Sequence, residues 1–534
     1  MEASLGTVAL TVVLVSIVAW AWSLLNWVWF RPKKLERYLR QQGLAGNSYR
    51  LLFGDLKESS MMHKQARSKP MNHLSHDIVP HILPFLHQTV ITYGMSSLIC
   101  QICKNSFIWM GPTLRVNILN PEDLRDVLNR YDDFRKPLSN PITKVLSQGL
   151  VNIDGEKWTK HRKIINPAFH LEKLKFMVPT FYQSCSEMID TWENLMANEG
   201  LLELDVWPWL QSLAGDVISR AAFGSSYEEG KKIFQLLKEQ ARIGATLLRS
   251  ATSVYIPGWR FLPSKMNKRM KEINKEIRVL IMDIINKREG TIKAGDDINK
   301  DDLLRMLLES NSKEIKEHEN NKNVGMSIED VIEECKLFYF VGQETTSALL
   351  VWAMVLLSHN QNWQNRAREE VLQVIGSNNT PTFDALMHLH VVTMVLLEVL
   401  RLYPPGVEVS RITHKKTQLG KLSLPAGVDV YVPILLVHHD KELWGDDADE
   451  FKPERFSGGV SKATNNRFTY FPFGAGPRIC IGQNFAMMEA KLALSLILQH
   501  FTFELSSSYA HDPLTYTTLQ PQSGAHIILR KRRY

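Results

Sequence analysis

The chain has 534 residues, of which 44% are hydrophobic and 22% are charged, and its 63 basic and 56 acidic residues give a net charge of +7. This length and composition are those of a globular protein with a large buried core, and so small a charge excess does not indicate a nucleic-acid partner. The excess fits an anionic membrane surface, an acidic protein partner or a slightly basic soluble surface. Five cysteines in so long a chain argue against a disulfide framework and favour a reducing compartment.

The first predicted element is an N-terminal membrane helix. Residues 5–30 contain no charge, and as a helix they would span roughly 39 Å, enough for a hydrocarbon core of about 30 Å. The basic residues that follow, beginning with Arg31, place this end in the cytosol. The alternative is a cleaved signal peptide, whose basic region would precede a shorter apolar core. We expect a lumenal terminus at 1–4, an anchor at 5–30, a basic linker at 31–50 and a cytosolic main domain at 51–534.

The main domain is predicted to be largely helical. Asn120 and Pro121 form an N-cap and first-turn pair, whereas residues 287–326 are polar and predict a solvated loop with a short helix. Ser327 and Asp330 then form a capping box, from which a helix could run to about His359. Short strands are predicted in "SFIWM", "TLRVNIL" and "AGVDVYVP". The predicted fold class is therefore mainly α with small β-sheets.

The strongest motif lies near the C-terminus, where residues 473–482 read "FGAGPRICIG". This matches the pattern Phe-x-x-Gly-x-Arg-x-Cys-x-Gly, and here the chain resembles the cytochrome P-450 superfamily of haem-thiolate monooxygenases. The resemblance implies a cytochrome P-450 fold, haem b as cofactor and Cys480 as the iron ligand. A predicted helix begins just after Cys480, and a helix N-terminus stabilises a thiolate. Taken alone, Cys480 would favour a buried structural cysteine.

The resemblance also implies a set of haem-binding residues. The pattern itself contributes Phe473, Arg478 and Gly482, and "WTKHR" contributes Trp158 and Arg162 four residues apart. Arg411, after "YPPGVEVS", corresponds to a further ligand of a haem propionate. For each arginine the alternative is an ordinary surface charge. Lysines on the helix of Trp158 are expected to face an acidic electron donor, although a solvated helix face is nearly as good a reading.

Glu398 and Arg401 lie three residues apart among apolar neighbours in "MVLLEVLRLYPP". Such pairs are common on exposed helices, but this setting indicates burial, where a charged pair needs further partners. Arg455 in "FKPERF" completes the set. The resemblance implies that the three residues brace the cysteine loop, and we assign them to fold stability.

Residues 341–346 read "VGQETT" within the long predicted helix. The superfamily has Ala/Gly-Gly-x-Asp/Glu-Thr-Thr/Ser here, which implies that Glu344 and Thr345 deliver protons to the oxygen site and that Gly342 makes room for a bend. The alternative is a Thr345 hydroxyl bonded to a helix carbonyl beside an exposed glutamate. Val341 departs from the pattern, which has Ala or Gly at this position, and we expect its larger side chain to narrow the substrate pocket.

Longer segments, including "GNSYRLLFGDLKE" and "WTKHRKIINPAFHLEKLK", resemble the secologanin-synthase-like family of plant cytochromes P-450. This implies a plant enzyme acting on iridoid glucosides, triterpenoids or gibberellin-type diterpenoids. By position, Val341, Glu408 and Thr517 are candidates for the substrate pocket. Nine residues, 95–103, interrupt the family pattern and are either a real loop or a gene-model error.

The expected function is a monooxygenase of the endoplasmic reticulum membrane. It would take electrons from NADPH through a cytochrome P-450 reductase and act as a monomer, in contact with membrane lipid and with no nucleic acid. One alternative is a haem-thiolate isomerase or dehydratase that needs no reductase. Another is a non-catalytic haem-binding protein.

Overall fold

The computed structural model describes residues 2–68, 70–71, 74–94, 104–137, 148–196, 200–225, 227–249, 264–294, 302–317 and 324–532. These residues form two compact units, the first at 1–66, 83–137 and 410–433 and the second at 67–82, 138–409 and 434–534. The fold is mainly helical with small sheets, which confirms the predicted class. The predicted insertion at 95–103 lies outside the described residues.

The helices and strands are numbered here in chain order. The helices are α1 Glu2–Leu25, α2 Arg31–Gln41, α3 Leu56–Ala66, α4 Val79–Ile82, α5 Pro84–Gly94, α6 Pro121–Asn129, α7 Gly155–Ile165, α8 Leu171–Lys175, α9 Val178–Met196, α10 Val206–Phe223, α11 Tyr227–Arg249, α12 Lys265–Ala294, α13 Leu303–Glu317, α14 Ile328–His359, α15 Gln361–Val374, α16 Phe383–Met387, α17 His390–Leu402, α18 Ile434–His438, α19 Lys441–Trp444, α20 Gly459–Ala463 and α21 Gln483–His500. The strands are β1 Ala45–Gly46, β2 Ser106–Met110, β3 Thr113–Asn117, β4 Phe134–Arg135, β5 Leu201–Asp205, β6 Val409–Thr413, β7 Thr417–Leu419, β8 Leu422–Leu424, β9 Asp429–Val432, β10 Phe501–Leu505, β11 Pro513–Thr515, β12 Leu519–Pro521 and β13 His526–Lys531.

The N-terminal helix is long, apolar and exposed. The stretch Gly6–Gln41, which is α1, one π-helical turn and α2, could cross a membrane by length and composition. Helix α14 passes the same test, but most of it is buried, as expected for the core helix of a globular domain. The segment predicted as a basic linker begins with α2, whose Glu36 accepts a hydrogen bond from Lys33 at 3.0 Å.

The first unit is built on a six-stranded sheet with the order β1-β2-β3-β9-β6-β4. Strands β2, β3 and β9 lie within the three segments predicted as strands, which confirms those predictions. The predicted cap at Asn120 is also confirmed, because its side chain accepts from the N–H groups of Glu122 and Asp123.

The second unit is organised around α14. Ser327 and Asp330 form the predicted capping box, and the helix ends at His359 as expected. An almost continuous run of buried residues from Thr346 to Ser358 packs α14 among α10, α17 and α21. The solvated loop predicted at 287–326 is shorter than expected, because α12 continues to Ala294 and α13 buries apolar residues such as Leu303, Leu304 and Leu307.

Candidate functional site

The cysteine loop is a tight turn between Phe473 and the start of α21. The N–H of Cys480 donates to the carbonyl of Phe473 at 2.9 Å, which closes the loop. Gly474 and Gly476 have φ angles of +69° and +66°, the left-handed region that favours glycine. At Gly482 an added Cβ would meet only ordinary contacts among the described residues, 3.9 Å from the Phe169 ring and 4.0 Å from the Cys480 sulfur.

Cys480 lies at the positive end of α21, where Gly482 is the N-cap residue. The side chain is accessible to water, yet protein surrounds it closely. Burial raises the pKa of the Cys480 thiol, whereas the N–H of Gly482 and the charge of Arg162 lower it. The loop therefore presents a reachable sulfur with two built-in features that favour the thiolate.

Helix α7 brings two of the predicted residues to this loop. Arg162 donates to the carbonyl of Ile479, next to the cysteine, at 2.9 Å. Trp158 is buried beneath Arg478, whose guanidinium lies 4.4 Å from the centre of its ring. Arg478 also forms an ion pair with Asp154 and donates to the carbonyl of Ile153.

Two further predicted residues, Arg411 and Glu408, lie in or next to β6. Arg411 belongs to β6 in the first unit, where it is buried and donates to the carbonyl of Ser410 at 3.0 Å. Glu408 is exposed in the segment before β6. Their predicted contacts with haem and substrate stay predictions.

Glu398, Arg401 and Arg455 lie together in the second unit. Arg401 forms a fork with both carboxylate oxygens of Glu398 at 2.8 Å, and both side chains are fully buried. Three backbone carbonyls, of His438, Ala448 and Glu450, accept its remaining N–H groups. Arg455 lies 3.4 Å from the same carboxylate. A buried charge pair is tolerated only with such further hydrogen bonds.

A second buried pair, which the sequence reasoning missed, joins α7 to α14. His161 Nδ1 lies 2.6 Å from Glu334 Oε1, and the other carboxylate oxygen accepts from the N–H of Leu150 at 3.0 Å. Neither residue is recognisable from its neighbours, because the two are 173 positions apart in the chain. A Cβ at Gly149 would approach this carboxylate to 2.7 Å, so the pair leaves no room for a side chain there.

Two lysines of α7 form ion pairs within the protein. Lys157 lies 2.6 Å from Asp330 of α14, and Lys163 lies 2.8 Å from Glu314 of α13. Changing either residue would therefore disturb an internal ion pair as well as any docking surface.

Gly342 lies in the middle of α14, where close packing against α10 explains the absence of a side chain. A Cβ at this position would lie 2.7 Å from Cγ1 and 2.9 Å from Cδ1 of Ile218 on α10. The Thr345 hydroxyl donates to the carbonyl of Val341 at 2.8 Å, which is the helix back-bond considered above as the alternative. Val341 and Thr345 are both half-buried.

Glu344 is not an exposed surface acid. Its Oε2 accepts from the hydroxyls of Thr518 at 3.3 Å and Thr517 at 3.5 Å, on the turn between β11 and β12. Burial raises the pKa of Glu344, and the charge of Lys238 and these two hydroxyls act in the opposite direction. The predicted pocket residue Thr517 is thus a neighbour of the predicted acid.

Another buried acid follows the cysteine loop on α21. Glu489 is fully buried, and burial raises its pKa well above the usual range, although the Thr346 hydroxyl of α14 acts against this. Burial therefore favours the neutral form of this carboxyl group. In the sequence, only the apolar neighbours of Glu489 on its helix could have indicated that it is buried.

The loop and α7 fit a haem group. Cys480 supplies a reachable sulfur ligand, and the cationic Arg162 and Arg478 lie around the loop where a haem carboxylate could be met. These residues would hold the group, with Cys480 on the iron.

Comparison with known proteins shows the family of this chain. The family described as Cytochrome P-450 matches residues 83–528. The chain is 56% identical over 529 residues to the cytochrome P-450 CYP72A219 of Panax ginseng, covering 99% of both chains. It is 51% identical over 534 residues to 7-deoxyloganic acid hydroxylase of Catharanthus roseus, covering 99% of this chain and 100% of the relative, and 54% identical over 526 residues to 11-oxo-beta-amyrin 30-oxidase of Glycyrrhiza uralensis, covering 98% of each. The chain therefore belongs to the cytochrome P-450 family and is a monooxygenase of its plant branch.

Proposed function

We propose that this chain is a membrane-anchored monooxygenase that inserts one oxygen atom from O2 into an unreactive C–H bond of a terpenoid-type substrate. The observation that carries the proposal is the reachable Cys480 sulfur, with the Gly482 N–H directed at it and Arg162 beside it. Haem b, when bound, supplies the iron at which dioxygen is activated. The electrons come from NADPH through a reductase.

Most of the predicted residues have a role in this proposal. Cys480 would ligate the iron, and Phe473 and Gly482 would shape the loop around it. Trp158, Arg162 and Arg478 would hold a haem carboxylate. Glu398 and Arg401, with Arg455, have a bracing role: Arg401 bonds the carbonyls of His438 and Ala448, and the His438 ring accepts from the N–H of Phe471, just before the loop.

Proton delivery belongs to Glu344 and Thr345. Burial raises the pKa of Glu344, which favours the protonated carboxyl group that a proton donor needs. The Thr345 hydroxyl is one residue further along α14. To take part, it would donate to the reacting group instead of to the carbonyl of Val341. Val341, Glu408 and Thr517 line the substrate pocket.

The substrate class rests on the relatives. Two of them are named for oxidation of an iridoid acid and of an oxo-amyrin triterpenoid. We extend this to a terpenoid of the iridoid, triterpenoid or gibberellin-like type. The apolar stretch Gly6–Gln41 anchors the protein in the endoplasmic reticulum, where it meets lipid and the reductase as a monomer.

The test begins with the reduced carbon monoxide complex, whose absorption band reports a thiolate on iron. Purified protein is then given NADPH, reductase, isotope-labelled dioxygen and a terpenoid panel that includes 7-deoxyloganic acid and 11-oxo-beta-amyrin. Label in one product oxygen, lost in Cys480→Ser, is the expected result. Conversion of a substrate without reductase would instead indicate an isomerase or dehydratase. A thiolate band with no turnover on any substrate would indicate a binding protein.

A further inference from the structure

The C-terminal hairpin reaches the acid of α14. The turn between β11 and β12 places two threonine hydroxyls on Glu344 Oε2, but the two differ in setting. Thr518 is buried and lies 3.3 Å from this oxygen, whereas Thr517 is exposed and lies 3.5 Å away. Of the two, Thr518 is the hydroxyl that water competes with least.

Backbone hydrogen bonds fix the turn on α14. The carbonyl of Leu519 accepts from the indole N–H of Trp352 at 2.9 Å, and its N–H donates to the carbonyl of Pro405 at 3.0 Å. Trp352 and Glu344 belong to the same helix, so this helix carries both the acid and the anchor of the hydroxyl. The distance between Thr518 and Glu344 is therefore set by rigid elements.

Lys238 of α11 acts on Glu344 through its charge. Its exposed amine donates to the side chain of Gln211 on α10 at 3.3 Å, and the carbonyl of Gln211 accepts from Gln343, the residue before Glu344, at 3.1 Å. The charge of Lys238 lowers the pKa of Glu344 against the effect of burial. Glu344 thus accepts a hydrogen bond from a buried hydroxyl and feels an exposed cation that favours its ionised form.

We propose that Thr518 is a positioning residue that holds the Glu344 carboxyl in its proton-delivering orientation. The inference rests on the proposed function, in which Glu344 delivers protons. With Oε2 held by Thr518, proton exchange is left to Oε1. In one cycle the carboxyl O–H bond breaks as its proton passes to the oxygen of the Thr345 hydroxyl, that hydroxyl gives up its own proton to the reacting group, and solvent returns a proton to the carboxylate.

Two variants separate this role from general stability. Thr518→Val keeps the shape of the side chain and removes the hydroxyl, whereas Thr518→Ser keeps the hydroxyl and is the matched control at the same position. Thr518→Ala replaces Thr518→Val if the latter fails to show the thiolate band of a folded protein. Glu344→Gln removes the carboxyl group and so identifies its infrared band.

The first measurement needs no turnover. Infrared titration of the purified haem protein follows the carboxyl band that Glu344→Gln removes. Thr518→Val is expected to move this band and raise the pKa of Glu344, because the lost hydrogen bond favours the ionised form. Thr518→Ser should stay close to the wild type.

The second measurement is product formed per NADPH consumed, with its solvent deuterium isotope effect. Thr518→Val is expected to lower the product yield about ten-fold and raise the isotope effect, since a misplaced proton donor slows proton transfer. Equal behaviour of Thr518→Val and Thr518→Ser, or an unmoved carboxyl band, would overturn the inference. If the wild type forms no product while Thr518→Val still moves the band, the proposed function fails and the positioning of Glu344 stands.

Discussion

Replacement of Gly342 by alanine tests whether this glycine serves the packing of α14. The added Cβ would lie 2.7 Å, 2.9 Å and 3.2 Å from three side-chain carbons of Ile218, which is itself buried at 3% exposure. Overpacking of this kind costs about 1–3 kcal/mol, and the better helix propensity of alanine returns about 1 kcal/mol. We expect a net loss of about 1 kcal/mol and a fall in the unfolding midpoint on the order of 1 °C.

The control is Gly290→Ala on α12. Among the described residues nothing lies within 4 Å of a Cβ at Gly290, so this variant should gain up to about 1 kcal/mol. Thermal unfolding of the detergent-solubilised protein, followed by loss of the thiolate absorption band at one scan rate, compares the two. In an Ile218→Ala background, Gly342→Ala should cost less, which gives a coupling energy of about 1 kcal/mol. Equal midpoints for the two glycine variants, or strictly additive effects with Ile218→Ala, would refute the packing explanation.

Three further outcomes follow from the buried acids and arginines. Burial raises the pKa of Glu489, so the folded wild type loses stability as the pH rises above about 4.5, the usual pKa of this group. Glu489→Gln carries no ionisable group there and should unfold at a higher temperature than the wild type at pH 8. The difference between the two unfolding temperatures should disappear near pH 4. A pH-independent gap would contradict this. Arg401→Lys loses the fork to Glu398 and at least one bond to a carbonyl, which should cost about 3–5 kcal/mol and appear as loss of folded haem protein on expression; a normal yield would speak against the bracing role. Gly149→Ala places a Cβ 2.7 Å from Glu334, so it should lower the unfolding midpoint, and a crystal structure with an undisturbed carboxylate would contradict that reason.

Local rules predicted the elements that depend on neighbouring residues. The capping box at Ser327, the helix end at His359 and the cap at Asn120 were predictable because caps are made by side chains within a few positions of the helix start. The loop around Cys480 was predictable because its motif is contiguous. The same reasoning underestimated α13, since burial of Leu303 and its neighbours depends on partners far away in the chain.

What the sequence by itself determined is the family, the cysteine that can bind iron, and the long helix that carries Glu344 and Thr345. Tertiary structure alone decided which groups these side chains meet. Glu344 accepts from Thr518, which is 174 positions away, and Gly342 meets Ile218 of another helix. The physical reason is that a motif records spacing along one chain segment, whereas burial, hydrogen-bond partners and the pKa of an acid are set by segments that only folding brings together.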